Sequence, residues 1–213
     1  MQKLHLKYDR KIFFTSDLHI GHRNILDFCH RPFPDIKDMS ESLISNWNKV
    51  VREKDIVFDL GDMFWWDSRH DVKKFVEKLN GHLYKIPGNH DMDCKRLFEL
   101  CDPEKVTILE DCVTVWIENI NPEKPTAPVE LCLCHYPLLT WPHRGNGVVQ
   151  LFGHIHSGPL SGASMDIPGK DLHLWEHQQY DVGADNNSYT PIEIQEIFKK
   201  LDRPFIWKPQ TSF

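Results

Sequence analysis

Residues 11–24 read KIFFTSDLHIGHRN. The apolar run 11–16 predicts a short strand. A carboxylate, Asp17, and an imidazole, His19, follow it before Gly21, and a helical stretch is expected over 23–29. The same unit recurs along the chain. IVFDLGD (56–62) ends on Asp62, LYKIPGNH (83–90) on Asn89 and His90, VELCLCH (129–135) on His135, and VVQLFGHIH (148–156) on His154 and His156. In open α/β folds the binding crevice lies beyond the carboxyl ends of the strands, so polar groups far apart in sequence converge there.

Around these units the first half alternates strand and helix. Met39, Leu43, Ile44, Trp47, Val50 and Val51 fall at helical spacing and predict a helix over 38–51. Further helices are expected at 71–79 and 93–100, with strands at 55–60 and 83–86. That β, α, β, α order implies a sheet with parallel strands covered by helices. Strand-like runs then dominate, at 107–109, 113–118, 129–134, 148–152 and 172–175. The proline-rich NPEKPTAP (121–128) reads as a hairpin loop, and a helix falls within 191–201. The expected fold class is α/β (α+β): a four-layer αββα sandwich of two mixed β-sheets flanked by helices, in a single domain over residues 1–213.

The composition restricts the function. A net charge of -6 with 40% hydrophobic residues describes a globular protein, not one that coats nucleic acid through a basic surface. A phosphate substrate is still compatible, because bound cations reverse the local field. The opening MQKLHLKYDRKIFF has no apolar run of signal-peptide length, and nowhere does the chain approach the roughly 20 apolar residues of a membrane span, so a cytoplasmic protein is expected. The six cysteines contain no CxxC pair, which argues against a zinc ribbon or thioredoxin-like site.

Carboxylate, imidazole and amide oxygen suit borderline divalent ions, and the absence of thiolates at these positions argues against a structural zinc centre. There are enough ligands for two ions, and one carboxylate can bridge metals roughly 3.5 to 4 Å apart. Read in order, DLH (17–19), GD (61–62), GNHD (88–91), CHYP around His135 and GHIH (153–156) resemble the signature of the calcineurin-like metallophosphoesterase superfamily. The later run DVGADNNSYTP, from Asp181, is similar to the closing segment of a bacterial and phage subgroup of small phosphoesterases.

The resemblance implies that Asp17, His19 and His156 hold one metal, that Asn89, His135 and His154 hold the other, and that Asp62 bridges them. The ions would be two divalent metals (Mn, Fe, Zn, Ni or Co). His90 would act as general acid or charge stabiliser, with Asp91 orienting its ring. On an extended segment His154 and His156 would share one face, their Cα atoms roughly 6.5 Å apart, each serving a different ion while Ile155 faces the core.

The chemistry expected is hydrolysis of a phosphodiester by a metal-activated hydroxide, the bound water being acidified from 15.7 toward about 7. The partner would be a small phosphorylated substrate, nucleotide-type compounds included. His22, Arg23 and Arg144 are candidate substrate contacts. Met63, Phe64, Trp65 and Trp66 follow GD where many relatives active on phosphoproteins place an Asp and an Arg, which weakens the case for a phosphomonoester clamp. Trp65, Trp66 and Trp141 could stack on an aromatic leaving group. The alternatives are a phosphomonoesterase acting on a nucleotide or small phosphate, and a non-catalytic binding scaffold. No pattern fixes an oligomeric state.

Overall fold

A computed structural model of the protein describes residues 1–65, 72–91, 95–120, 128–157 and 177–203. Expectations placed on Trp66, on the strand at 172–175 and on most of the loop 121–128 lie outside these residues.

One sheet contains β2 (Ile12–Thr15), β3 (Ile56–Asp59), β4 (His82–Lys85) and β5 (Val106–Ile108) in parallel, closed by β10 (Ile192–Glu193) running antiparallel to β2. The other has the order β1 (Gln2–Lys7), β6 (Cys112–Glu118), β7 (Val129–Cys134), β8 (Val149–Phe152) and β9 (Gln179–Asp181), antiparallel only between β6 and β7. Both sheets are therefore mixed.

They pack face to face. Ile12, Phe14, Ile56 and Phe58 from one sheet meet Val113, Val115, Leu131, Leu133, Val149 and Leu151 from the other in one buried cluster. Alternate residues Phe13, Val57 and Leu83 face the opposite way, toward the helices. This explains why β2 and β3 are buried at every position: parallel strands covered on both faces read as continuous apolar runs.

Helix α1 (Ile25–Phe28) is a single turn, shorter than 23–29. Helix α2 (Ile36–Val50) starts where Asp35 accepts the backbone N–H groups of Lys37 and Asp38, satisfying two otherwise orphaned donors. It buries Met39, Leu43 and Trp47, one face at four-residue spacing, against the outer side of β2 and β3. Each such side chain contributes about 2 kcal/mol of transfer free energy. Helices α3 (Val72–Val76) and α4 (Lys95–Phe98) add Phe75 and Phe98 to the same face, and α5 (Ile194–Lys200) sends Ile197 and Phe198 into the core between the sheets. On the outer face of the second sheet, the described residues place Trp141 and Val148 over Cys132, beside the 3₁₀ turn Arg144–Asn146. The fold is an α/β sandwich of two mixed sheets.

Three strands go beyond the sequence expectation. β1 alternates half-buried and exposed positions at the sheet edge, and β9 and β10 have only three and two residues, too few for a periodic signal. Among the described residues no helix is long and apolar enough to cross a membrane.

Candidate metal centre

The loops leaving β2 and β3 continue side by side past the strand ends. The backbone N–H of Asp17 donates to the Gly61 carbonyl at 2.9 Å, and that of His19 to the Asp62 carbonyl at 3.0 Å. Ser16, after β2, bridges Gly183, after β9 of the second sheet, and in that sheet Gly153 N–H donates to the His135 carbonyl at 2.9 Å. The strand ends of both sheets are thereby drawn to one place. Asp17, His19, Asp62, His154 and His156 all adopt positive φ, between 47° and 72°. Non-glycine residues rarely take this conformation, and strain of this kind concentrates at functional sites.

Three groups of ligand-type atoms result among the described residues, each with its atoms within 4.8 Å of one another: Asp17, His19 and His156; Asp62, His135 and His154; and Cys29 and Asp185 with His156, which the first group shares. Asp62 Oδ2 lies between the first two, 3.9 Å from His19 Nε2 and 3.3 Å from His135 Nε2. Asn89 Oδ1 is 3.0 Å from the same nitrogen of His135. His154 and His156 thus join different groups, but not through strand alternation. β8 ends at Phe152, both histidines are left-handed, and Ile155 lines the cavity instead of facing the core.

These residues fit divalent cations. Asp17 Oδ1 and both ring nitrogens of His19 are buried without a hydrogen-bond partner, an arrangement that costs free energy unless something else satisfies them. The glycines of the sequence blocks leave the necessary room. A Cβ on Gly153 would strike Ser16 Oγ and Asp17 Oδ2, and one on Gly88 would strike the Asp62 carboxylate.

The electrostatics are those of a crowded site. Burial works against charge on His156, but the carboxylates of Asp17 and Asp185 win and push its pKa up to about 11. His135 is likewise penalised by burial yet raised to about 9 by its contact with Asp62. Burial raises the Asp62 carboxyl, and His135 and His19 outweigh it, so the group sits below the usual carboxylate range. His19 is held well below its ordinary value by burial and by His156, and His22 is lowered to about 4 by burial and by His90.

A cavity of about 530 Å³ lies over the centre, lined by His19, His22, Phe28, Asp62, His90 and His156 among others. His90, with a side chain 35% exposed, points its Nε2 to within 3.9 Å of Asp62 Oδ2. Trp65 lines the cavity between two histidines. One face lies flat on His22, with centroids 3.7 Å apart, and His90 packs against it at 4.7 Å. Trp141 is buried on the far side of the second sheet, its Nε1–H donating to the Val148 carbonyl. Arg144 lies against Trp141, and neither it nor the exposed Arg23 is among the residues lining the cavity.

Asp91 requires a correction. Its Oδ2 accepts from Asp62 N–H at 2.6 Å and Gly88 N–H at 2.9 Å and pairs with Lys85 at 2.7 Å, while Oδ1 has no hydrogen-bond partner. It braces the loop that carries Asp62 instead of orienting His90, because its buried side chain turns away from the cavity toward Lys85. Lys85, Asp59 and Arg31 gave no sequence signal. Asp181 and Asp185 fall in the closing DVGADNN run, and the first accepts from Ser157 while the second contacts His156.

A family model described as calcineurin-like phosphoesterase matches residues 10–158. The chain belongs to that family. The chain is 48% identical over 85 residues to the uncharacterized protein MJ1445 of Methanocaldococcus jannaschii, covering 38% of this chain and 47% of that one. The matched part thus spans about half of that relative's length. To the Gene 66 protein of Mycobacterium phage D29 the identity is 29% over 164 residues, covering 68% and 78% of the two chains. A protein of unknown function from Aquifex aeolicus, AQ665, shares the fold, with a TM-score of 0.61, 23% identity, and coverage of 90% of this chain and 100% of its own.

Proposed function

We propose that this calcineurin-like phosphoesterase is a dinuclear metal-dependent phosphodiesterase. One observation carries the reading: a single oxygen, Asp62 Oδ2, faces a histidine from each of the first two donor groups, as a bridging ligand must. Asp17, His19 and His156 would hold one ion, and His135, His154 and Asn89 the other. When bound, the ions supply an acidified water and offset the negative charge of the phosphoryl oxygens.

The chain's own residues do the rest. Asp62 is fixed for this task by the His90 backbone N–H, which donates to its Oδ1 at 2.8 Å. His90, beside the centre and backed by Trp65, is placed to give a proton to the leaving oxygen or to stabilise charge on the phosphoryl group. The described residues lining the cavity include no lysine or arginine. Beyond the two ions, then, no described side chain of the lining carries a fixed positive charge for the second negative charge of a monoester, which favours the singly charged diester. Phe28, Ile25 and Ile155 give the cavity an apolar side for an organic arm of the substrate, a nucleoside included.

The test is metal analysis of the purified protein by mass spectrometry, with rates on bis-aryl and mono-aryl phosphates in added manganese. Two ions per chain and faster diester turnover are expected, and Asp62→Asn should lose metal. Faster monoester turnover would replace the reading with a phosphomonoesterase. Two bound ions without hydrolysis of either ester would leave a binding scaffold.

A further inference from the structure

Arg31 and Asp185 are 154 residues apart in sequence and buried together beside the centre. Nε and Nη2 of Arg31 donate to Oδ1 and Oδ2 of Asp185 at 2.9 and 2.8 Å, a two-pronged charge-assisted pairing. The remaining donors reach the backbone of the first block. Nη1 donates to the Leu18 carbonyl at 2.8 Å, and Nη2 to the Asp17 carbonyl at 2.7 Å. On its other side, Asp185 Oδ2 lies 2.7 Å from Nδ1 of His156.

A histidine whose Nδ1–H is committed to a carboxylate presents Nε2 as its free lone pair, and here Nε2 faces Asp17 Oδ1 at 3.8 Å. We infer that Arg31 and Asp185 are positioning residues for one donor group only, Asp17 with His19 and His156: they fix the tautomer and heading of His156 and clamp the backbone of Asp17. This rests on the dinuclear reading above. The second group has supports of its own, the Leu60 carbonyl 2.8 Å from Nδ1 of His135 and Asp91 on the Asp62 backbone, and a hydrogen bond ties it to the first where His154 N–H donates to Asp17 Oδ2 at 2.9 Å. A pair that merely stabilised the fold would act on both groups alike. The contact pattern predicts that this one does not.

The experiment is calorimetric titration of metal-free protein with Mn²⁺, comparing wild type, Asp185→Asn and Arg31→Lys. The asparagine can still accept from His156 but carries no charge, and it leaves one guanidinium prong without an acceptor. One of the two binding events should weaken about 10- to 100-fold in Asp185→Asn, with the other unchanged. Arg31→Lys, which retains the charge without the fork, should fall between the two proteins. Two wild-type-like events in Asp185→Asn would overturn this inference alone, and so would equal weakening of both. No metal binding by the wild type would overturn the dinuclear reading and this one with it. A second measurement needs no variant. In long-range ¹H–¹⁵N spectra of the zinc-loaded wild type, His156 should carry its proton on Nδ1, and a proton on Nε2 would refute the assignment.

Discussion

Replacing Lys85 by methionine probes the brace behind the centre. Lys85 is 2% exposed at the end of β4, and its ammonium pairs with Asp91 at 2.7 Å and also with Asp59. Both carboxylates are themselves buried. Methionine fills much of the volume beside Phe98 but leaves two buried anions with only backbone donors: Gly61 N–H for Asp59, and Asp62 and Gly88 N–H for Asp91. Removing one partner of a buried ion pair costs about 3–5 kcal/mol, a large part of the 5–15 kcal/mol that holds a domain folded. At roughly 2–4 °C per kcal/mol for a chain of this size, Tm should fall by about 6–20 °C.

The assay is urea unfolding of the metal-free protein, followed by tryptophan fluorescence. Lys85→Met with Asp59→Leu should recover part of the loss, because one uncompensated anion goes with the lysine. The sign with pH is also set. Burial already holds the Asp59 carboxyl up at about 7 against the pull of Lys85, and without the ammonium it rises further above the unfolded value, so the variant's deficit should shrink as pH falls and the acid takes up its proton. A loss under about 1 kcal/mol at neutral pH, or a deficit that grows on acidification, would refute the reasoning.

Three further outcomes are expected. His90→Ala should retain both metals and lose turnover by about 10²- to 10⁴-fold, measured as kcat beside metal content; unchanged kcat would remove His90 from the chemistry. Gly153→Ala should lose metal from the Asp17 group, since its Cβ meets Ser16 Oγ and Asp17 Oδ2, and metal analysis would detect full occupancy if that clash were absorbed. At pH 7.5 His135 and His156, raised to about 9 and 11, are protonated in the metal-free protein, whereas a metal takes neutral imidazole. Metal binding should therefore release protons and tighten as pH rises, about tenfold per unit for each proton. Calorimetry in buffers of different ionisation enthalpy measures the release, and pH-independent affinity would contradict it.

What the sequence determined by itself was the chemistry and the class of fold. Asp17, Asp62, His135 and the GHIH pair stand directly after apolar runs, and a residue at the end of a buried strand has few directions to go, so their convergence is local information repeated four times. The helix α2 was legible for the same reason, one apolar face at constant spacing.

Tertiary structure decided what lies behind those ligands. Asp91 follows His90 in the chain, but its partners are Lys85 and the Asp62 backbone, because strand β4 brings the lysine beneath it. Arg31 meets Asp185 only because the loop after β2 and the segment after β9 are joined at Ser16 and Gly183, where the two sheets touch. That Trp65 stacks on His22 and packs against His90 was likewise decided by the fold. The candidate ligands are set by residue type at a strand end. Their supports are set by burial, which requires every charged group taken from water to find a partner wherever the fold supplies one.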